Sequence, residues 1–194
     1  MLGRFLSTLL FGAVLATQAP AADHVAIARK IASEVAIPRY QALALVAGVE
    51  ADAWNDFCLL PTRDGLETVR QAYHATADAW SAVEIIHYGT VSEDFRAERL
   101  SYWPERKNAT QRALAPLLKP GSADDLTPAR VRGASAAVRG LPALERLLYA
   151  DPPVDEKAFA ATPEGERRCA VGRAIAANVK ALADEILEGW ANPK

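Results

Sequence analysis

The sequence predicts an all-α protein, a four-helix bundle with a long irregular connection between its second and third helices. Three observations carry that expectation. Apolar residues recur at intervals of three and four in four separate segments, the period of one face of an α-helix. Those segments are bounded by helix-start signals (Thr-Pro, Thr-Pro-Glu) and by Pro- and Gly-rich stops. No stretch alternates apolar and polar residues as a half-buried strand does.

The first 22 residues are read apart from the bundle. Arg4 precedes an apolar run from Phe5 to Ala16, and Ala19-Pro20-Ala21 has the small-x-small form of a signal peptidase site. The run is too short for a bilayer, which needs roughly 20 apolar residues. Residues 1–22 are therefore expected to be a signal peptide and 23–194 the mature helical domain, secreted and, from the style of the leader, bacterial. About 172 residues remain, enough for one domain with a real core. Loss of Arg4 moves the formal net charge from −2 to about −3. Nucleic-acid binding asks for a basic face, so this balance argues against a nucleic-acid partner.

The first helical segment runs from Asp23 to about Asp56, with apolar residues at Ile27, Ile31, Val35, Leu45 and Val49. Pro38 removes a backbone donor inside it, so a kink or two helices in series is expected there. Thr62-Arg63-Asp64-Gly65 reads as a turn with Asp64 as the N-cap. The second helix is expected through Leu66, Val69, Tyr73, Ala77, Trp80, Glu84 and His87, with Gly89 as its stop. Residues 89–121 mix aromatics and charges without a long period, and a short helix is expected near Ala109–Leu118. The third helix is expected from Thr127-Pro128 through Val131, Val138, Leu141, Leu144 and Leu148. The last starts at Thr162-Pro163-Glu164 and runs through Val171, Ile175, Val179, Leu182 and Ile186 to Trp190.

The sequence has two cysteines, Cys58 and Cys169. An even count in a secreted chain favours a disulfide. A covalent c-type haem is excluded, because no Cys-x-x-Cys-His is present. Gly-x-Ser-x-Gly and His-Glu-x-x-His are also missing, which leaves no recognisable serine-hydrolase or zinc-peptidase motif. Glu84-Ile85-Ile86-His87 is a Glu-x-x-His. Di-iron bundles use two such pairs plus two further carboxylates, and this chain has one. Glu84 and His87 thus stand as metal-ligand candidates beside a plainer reading as a hydrogen-bonding acid and a helix cap. His74, at the edge of the core stripe, reads as a hydrogen-bonded boundary residue.

Several segments together resemble the imelysin-like family. They are Phe57-Cys58 to Pro61-Thr62, Ala79-Trp80 to Gly89, Arg99-Leu100-Ser101-Tyr102-Trp103-Pro104, Gly140-Leu141-Pro142-Ala143-Leu144-Glu145, and Arg168-Cys169 to Asn178. The resemblance implies a periplasmic or surface-exposed helical protein linked to bacterial iron uptake, with iron or another divalent metal as the cofactor. It also implies a peptidase activity in at least one member, from which the family takes its peptidase name. The family's hallmark is Gly-x-His-x-x-Glu. Gly140 and Glu145 occupy its glycine and glutamate, whereas Pro142 stands where the histidine would be. That removes the motif's only nitrogen ligand, which argues for a non-catalytic binding protein over a metallopeptidase. Glu145, set among leucines, is expected to be a buried acid partnered by Arg99 or Arg146, and it joins Glu84 and His87 as a metal-ligand candidate. Family members usually carry two bundles, and this chain matches the first. The expected partners are accordingly a membrane transporter or receptor component, or a second bundle or second copy covering the face left open.

Overall fold

The computed structural model describes residues 23–121, 126–150 and 152–192. The signal peptide expected over residues 1–22 lies outside them. The described residues are helical throughout their regular structure, with no strand among them. The order is α1 (His24–Ile31), α2 (Ile37–Leu59), α3 (Arg63–Ser81), α4 (Arg96–Leu100), α5 (Ala109–Leu114), α6 (Pro128–Gly133), α7 (Leu141–Tyr149) and α8 (Pro163–Ala191).

Among these, α2 is the central element. A π-helical turn at Ala32–Ala36 joins it to α1 with helical dihedrals throughout, just ahead of Pro38, where the sequence predicts a kink or two helices in series. The proline ring cannot donate back to the preceding turn, and widening that turn accommodates it. The stripe read at Ile27, Ile31, Leu45 and Val49 is not the core face, for all four are exposed. The buried side is Tyr40, Leu43, Ala47, Glu50, Trp54 and Phe57. Because α2 is apolar nearly all round, periodicity alone does not choose its inner face, and the aromatic side wins by burying more area.

Helix α8 runs antiparallel to α2. Cys58 bonds Cys169, Trp54 lies against Gly172, and Tyr40 stacks on Trp190 at 6.1 Å, so the residue numbers rise on one helix as they fall on the other. A Cβ at Gly172 would sit 2.2 Å from the Trp54 ring, which makes glycine the condition for this close approach. Helix α3 returns along the other side of α2 after a short connection, with Gly65 against Phe57 and the Thr76 hydroxyl 3.4 Å from the Val46 carbonyl. Thr62, not Asp64, caps α3 by accepting from Gly65 N at 3.1 Å. Thr162 caps α8 in the same way from Gly165 N, also at 3.1 Å. The short α7 packs against both α3 and α8. Arg70 of α3 donates to the Leu148 carbonyl at 3.2 Å, and Arg168 of α8 donates to the Leu147 carbonyl at 3.2 Å.

Two expected helices end elsewhere. The second stops at Ser81, short of Gly89. Beyond it, tight turns bonded Val83 N to Trp80 O and Ile86 N to Val83 O bury Val83 and Ile86. The expected third helix is broken into α6, a 3-10 turn at Ala136–Val138, and α7. Ala134 is extended, Ser135 caps the 3-10 turn, and Gly140 is extended ahead of Pro142 in the first turn of α7. The break lets the chain press Gly140 against the end of α4, where an added Cβ would fall 2.0 Å from the Leu100 carbonyl oxygen. Gly140→Ala is therefore expected to destabilise the protein by about 1 to 3 kcal/mol, because backbone must move to relieve the clash. A urea midpoint indistinguishable from wild type would contradict this.

Candidate functional site

The signature residues come together at one end of the bundle, where α3 runs out and the end of α4 meets Gly140 at the start of α7. The hydrogen bonds there explain the geometry. Glu105 accepts from Thr110 N at 2.9 Å and from Arg146 at 3.2 Å, tying the connection before α5 to the back of α7. These two donors hold the Glu105 carboxyl below the usual carboxylate range against the opposing effect of desolvation. The connection carries a cis Trp103–Pro104 bond and leaves Trp103 78% exposed over the cleft.

Two adjoining cavities form this cleft. One, of about 300 Å³, holds Glu145 and Pro142 of α7, Glu84 from the turn after α3, and the rings of Tyr73, Trp80 and Trp103. The other, of about 330 Å³, shares Trp80, Glu84, Ser101 and Trp103 and adds Ile85, His87 and Glu98. Glu84 and Glu145 thus share one cavity, and His87 lies in the next. All three side chains are exposed, so Glu145 is not the buried acid the sequence suggests. Its neighbour Arg146 turns away from it to Glu105. Within the helical repeat Glu145 falls beside the apolar stripe of Leu141, Leu144 and Leu148, not on it.

Nor are Glu84 and His87 on a helix, since α3 ends three residues before Glu84. Among the described residues no group of three or more His, Cys, Asp or Glu side chains is placed to hold a metal ion. Two carboxylates and a separate imidazole do not fit iron or another transition metal, which wants several convergent N or O donors. His74 is settled as a boundary residue, its Nε2 sharing a hydrogen bond with the Tyr149 hydroxyl at 3.0 Å.

Behind Tyr73 lies a residue that sequence reasoning passed over. Glu50 of α2 is fully buried, and neither carboxylate oxygen has a hydrogen-bond partner. Burial pushes its carboxyl up to about 7, with the Thr76 hydroxyl beside it opposing the shift. That hydroxyl lies 3.1 Å from the Ala72 carbonyl and 3.4 Å from the Val46 carbonyl, so its one proton goes to backbone and leaves the Glu50 oxygens without a donor. The Tyr73 phenol is held well above its ordinary value by burial first, then by Glu145 and Glu50. The signal for Glu50 was its position at core spacing from Leu43, Ala47 and Trp54. Cys58 and Cys169 meet as expected in a disulfide with Cα atoms 5.6 Å apart.

An all-helical fold whose glycine-proline-glutamate segment faces an acidic, aromatic-walled cleft defines a class of helical domain. The chain belongs to the imelysin family, whose model (Imelysin, peptidase family M75) matches residues 36–194. The fold is similar to the crystal structure of an imelysin-like protein from Psychrobacter arcticus 273-4, at 21% identity and a TM-score of 0.71. That likeness covers 86% of this chain and 49% of the other, so the chain spans about half the length of that relative. No curated protein matches the chain. Among the described residues, no helix is long and apolar enough to cross a membrane.

Proposed function

We propose that the protein is a non-catalytic member of the imelysin family, secreted to the bacterial periplasm and acting there by binding within iron or other metal uptake. The observation that supports this reading most is Pro142. It lies in the first turn of α7 in the same cavity as Glu145 and Glu84. The motif's scaffold is thus kept while its imidazole is missing, which removes the group a metallopeptidase mechanism would need. Catalysis would also need a metal-bound water, and the donors present do not make that site.

Metal titration by calorimetry with Fe(III), Zn(II) and Cu(II), together with a peptidase assay with and without chelator, tests the reading. Chelator-sensitive cleavage would overturn it in favour of a metallopeptidase. Pro142→His is expected to create measurable metal affinity, since an imidazole three residues before Glu145 shares its helix face. An unchanged metal titration for a folded variant would count against the motif geometry of this cleft as a metal site.

A second reading is an interaction module that docks on a membrane transporter or receptor, or that pairs with a second bundle or second copy. Leu45 and Val49, one turn apart on α2 and 70% and 55% exposed, favour it. Light scattering across concentration measures self-association directly.

A further inference from the structure

On the far side of α7 from the cleft, α5, α7 and the start of α8 enclose a separate cavity of about 390 Å³. Its apolar wall is Leu114, Ala115, Leu118 and Ala150, and its polar groups are Gln111, Arg146 and Arg168, with no carboxylate among them. A cavity of this size with an apolar wall on one side and convergent polar groups on the other suits a small amphipathic molecule.

The two guanidiniums differ. Arg146 is balanced by Glu105 at 3.2 Å. Arg168 is half-buried and has neutral partners, donating to the Leu147 carbonyl at 3.2 Å and lying over the Phe159 ring at 5.6 Å. Desolvation lowers its pKa, the mark of a cation drawn out of water without an anion to meet it. A partly desolvated charge is costly unless paired, and a guanidinium presents a planar fork that matches a carboxylate edge to edge.

We propose that this cavity binds a small amphipathic carboxylate, its head on Arg168 beside Arg146 and its apolar body against Leu114 and Leu118. The net charge of the lining is one positive unit once Glu105 is counted against Arg146, which suits a monoanion over a phosphate dianion. An apolar tail is required because the remaining wall offers no donors besides Gln111. The inference does not depend on the metal-uptake reading.

Calorimetric titration at pH 7 with octanoate, octylammonium and inorganic phosphate tests it. Saturable binding of octanoate is expected, with octylammonium and phosphate at least about tenfold weaker. Arg168→Gln is expected to weaken octanoate roughly ten- to hundredfold, the loss of a charged hydrogen bond. Because Arg168 also supports α7, Ala115→Phe serves as a second variant. Ala115 is exposed at the cavity wall, so a ring there fills the space without touching the core. It should weaken octanoate at an unchanged melting temperature. Absence of saturable octanoate binding up to about 10 mM would overturn the proposal. So would equal binding of octylammonium or phosphate, or wild-type affinity in either folded variant.

Discussion

Replacing Cys58 and Cys169 together by alanine is expected to lower stability by about 4 to 5 kcal/mol. The bond joins residues 111 apart in sequence, so in the unfolded chain it closes a loop containing most of the domain. A loop of that length removes more entropy from the unfolded state than a short one, which is the source of the estimate. In the folded protein the bond fastens the last turn of α2 to the second turn of α8, beside the Trp54, Phe57 and Phe159 ring cluster. For a domain of this size the loss corresponds to a fall in Tm of roughly 8 to 20 °C. Thermal melting with and without reductant checks it. Reduced wild type should melt with the double variant, and the variant should not respond to reductant. A loss below about 1 kcal/mol would mean that the constraint acts on an already compact unfolded chain.

Glu50 should make stability depend on pH in the direction opposite to that of an ion-paired carboxylate. Burial raises its folded pKa to about 7 from an ordinary value of 4.5. The native state therefore keeps a proton that the unfolded state gives up. Below pH 4.5 both states are protonated and the group costs nothing extra. As pH rises from 4.5 to 7 the unfolded state is increasingly favoured, and above 7 the cost levels at about 3 kcal/mol. Glu50→Gln removes this titration. The variant's stability relative to wild type should thus rise by about 3 kcal/mol between pH 4.5 and pH 8, whatever the buried amide costs at either pH. Denaturant unfolding at both pH values gives the difference directly, and groups such as Glu105 cancel because both proteins share them. Parallel pH profiles for the two proteins would show that Glu50 finds a partner when ionised.

The cleft was partly legible in advance. Gly140, Pro142 and Glu145 could be placed on one helix from their spacing, and the Glu84/His87 pair lay in a segment that resembled the family. Their grouping was not legible, because it depends on where α3 stops. Val83 and Ile86 satisfy a helical period and a 3-10 period equally well. The tight turns that bury them carry Glu84 into the cavity with Glu145 and leave His87 in the next one. The exposure of Glu145 is hidden in the sequence for a related reason. A nine-residue helix flanked by leucines has room for an exposed position, and only its neighbours in space decide which one that is. Arg168 belongs to a segment that resembles the family, while its cavity requires α5 and α7 to be brought to it.

By itself the sequence determined the helical class, the caps at Thr127 and Thr162, the irregularity of the first helical segment near Pro38, the pairing of the two cysteines and the family. Each rests on local chemistry or on residue identity: a missing amide proton, a hydroxyl that accepts from a helix N-terminus, a count of two thiols. The tertiary structure alone decided which side of α2 is inside, why the third helical segment breaks, and which acids face water. Those depend on close approaches between residues far apart in sequence, such as Gly140 on Leu100 and Gly172 on Trp54. An apolar helix can turn several faces inward at similar cost. Steric fit against its neighbours selects one.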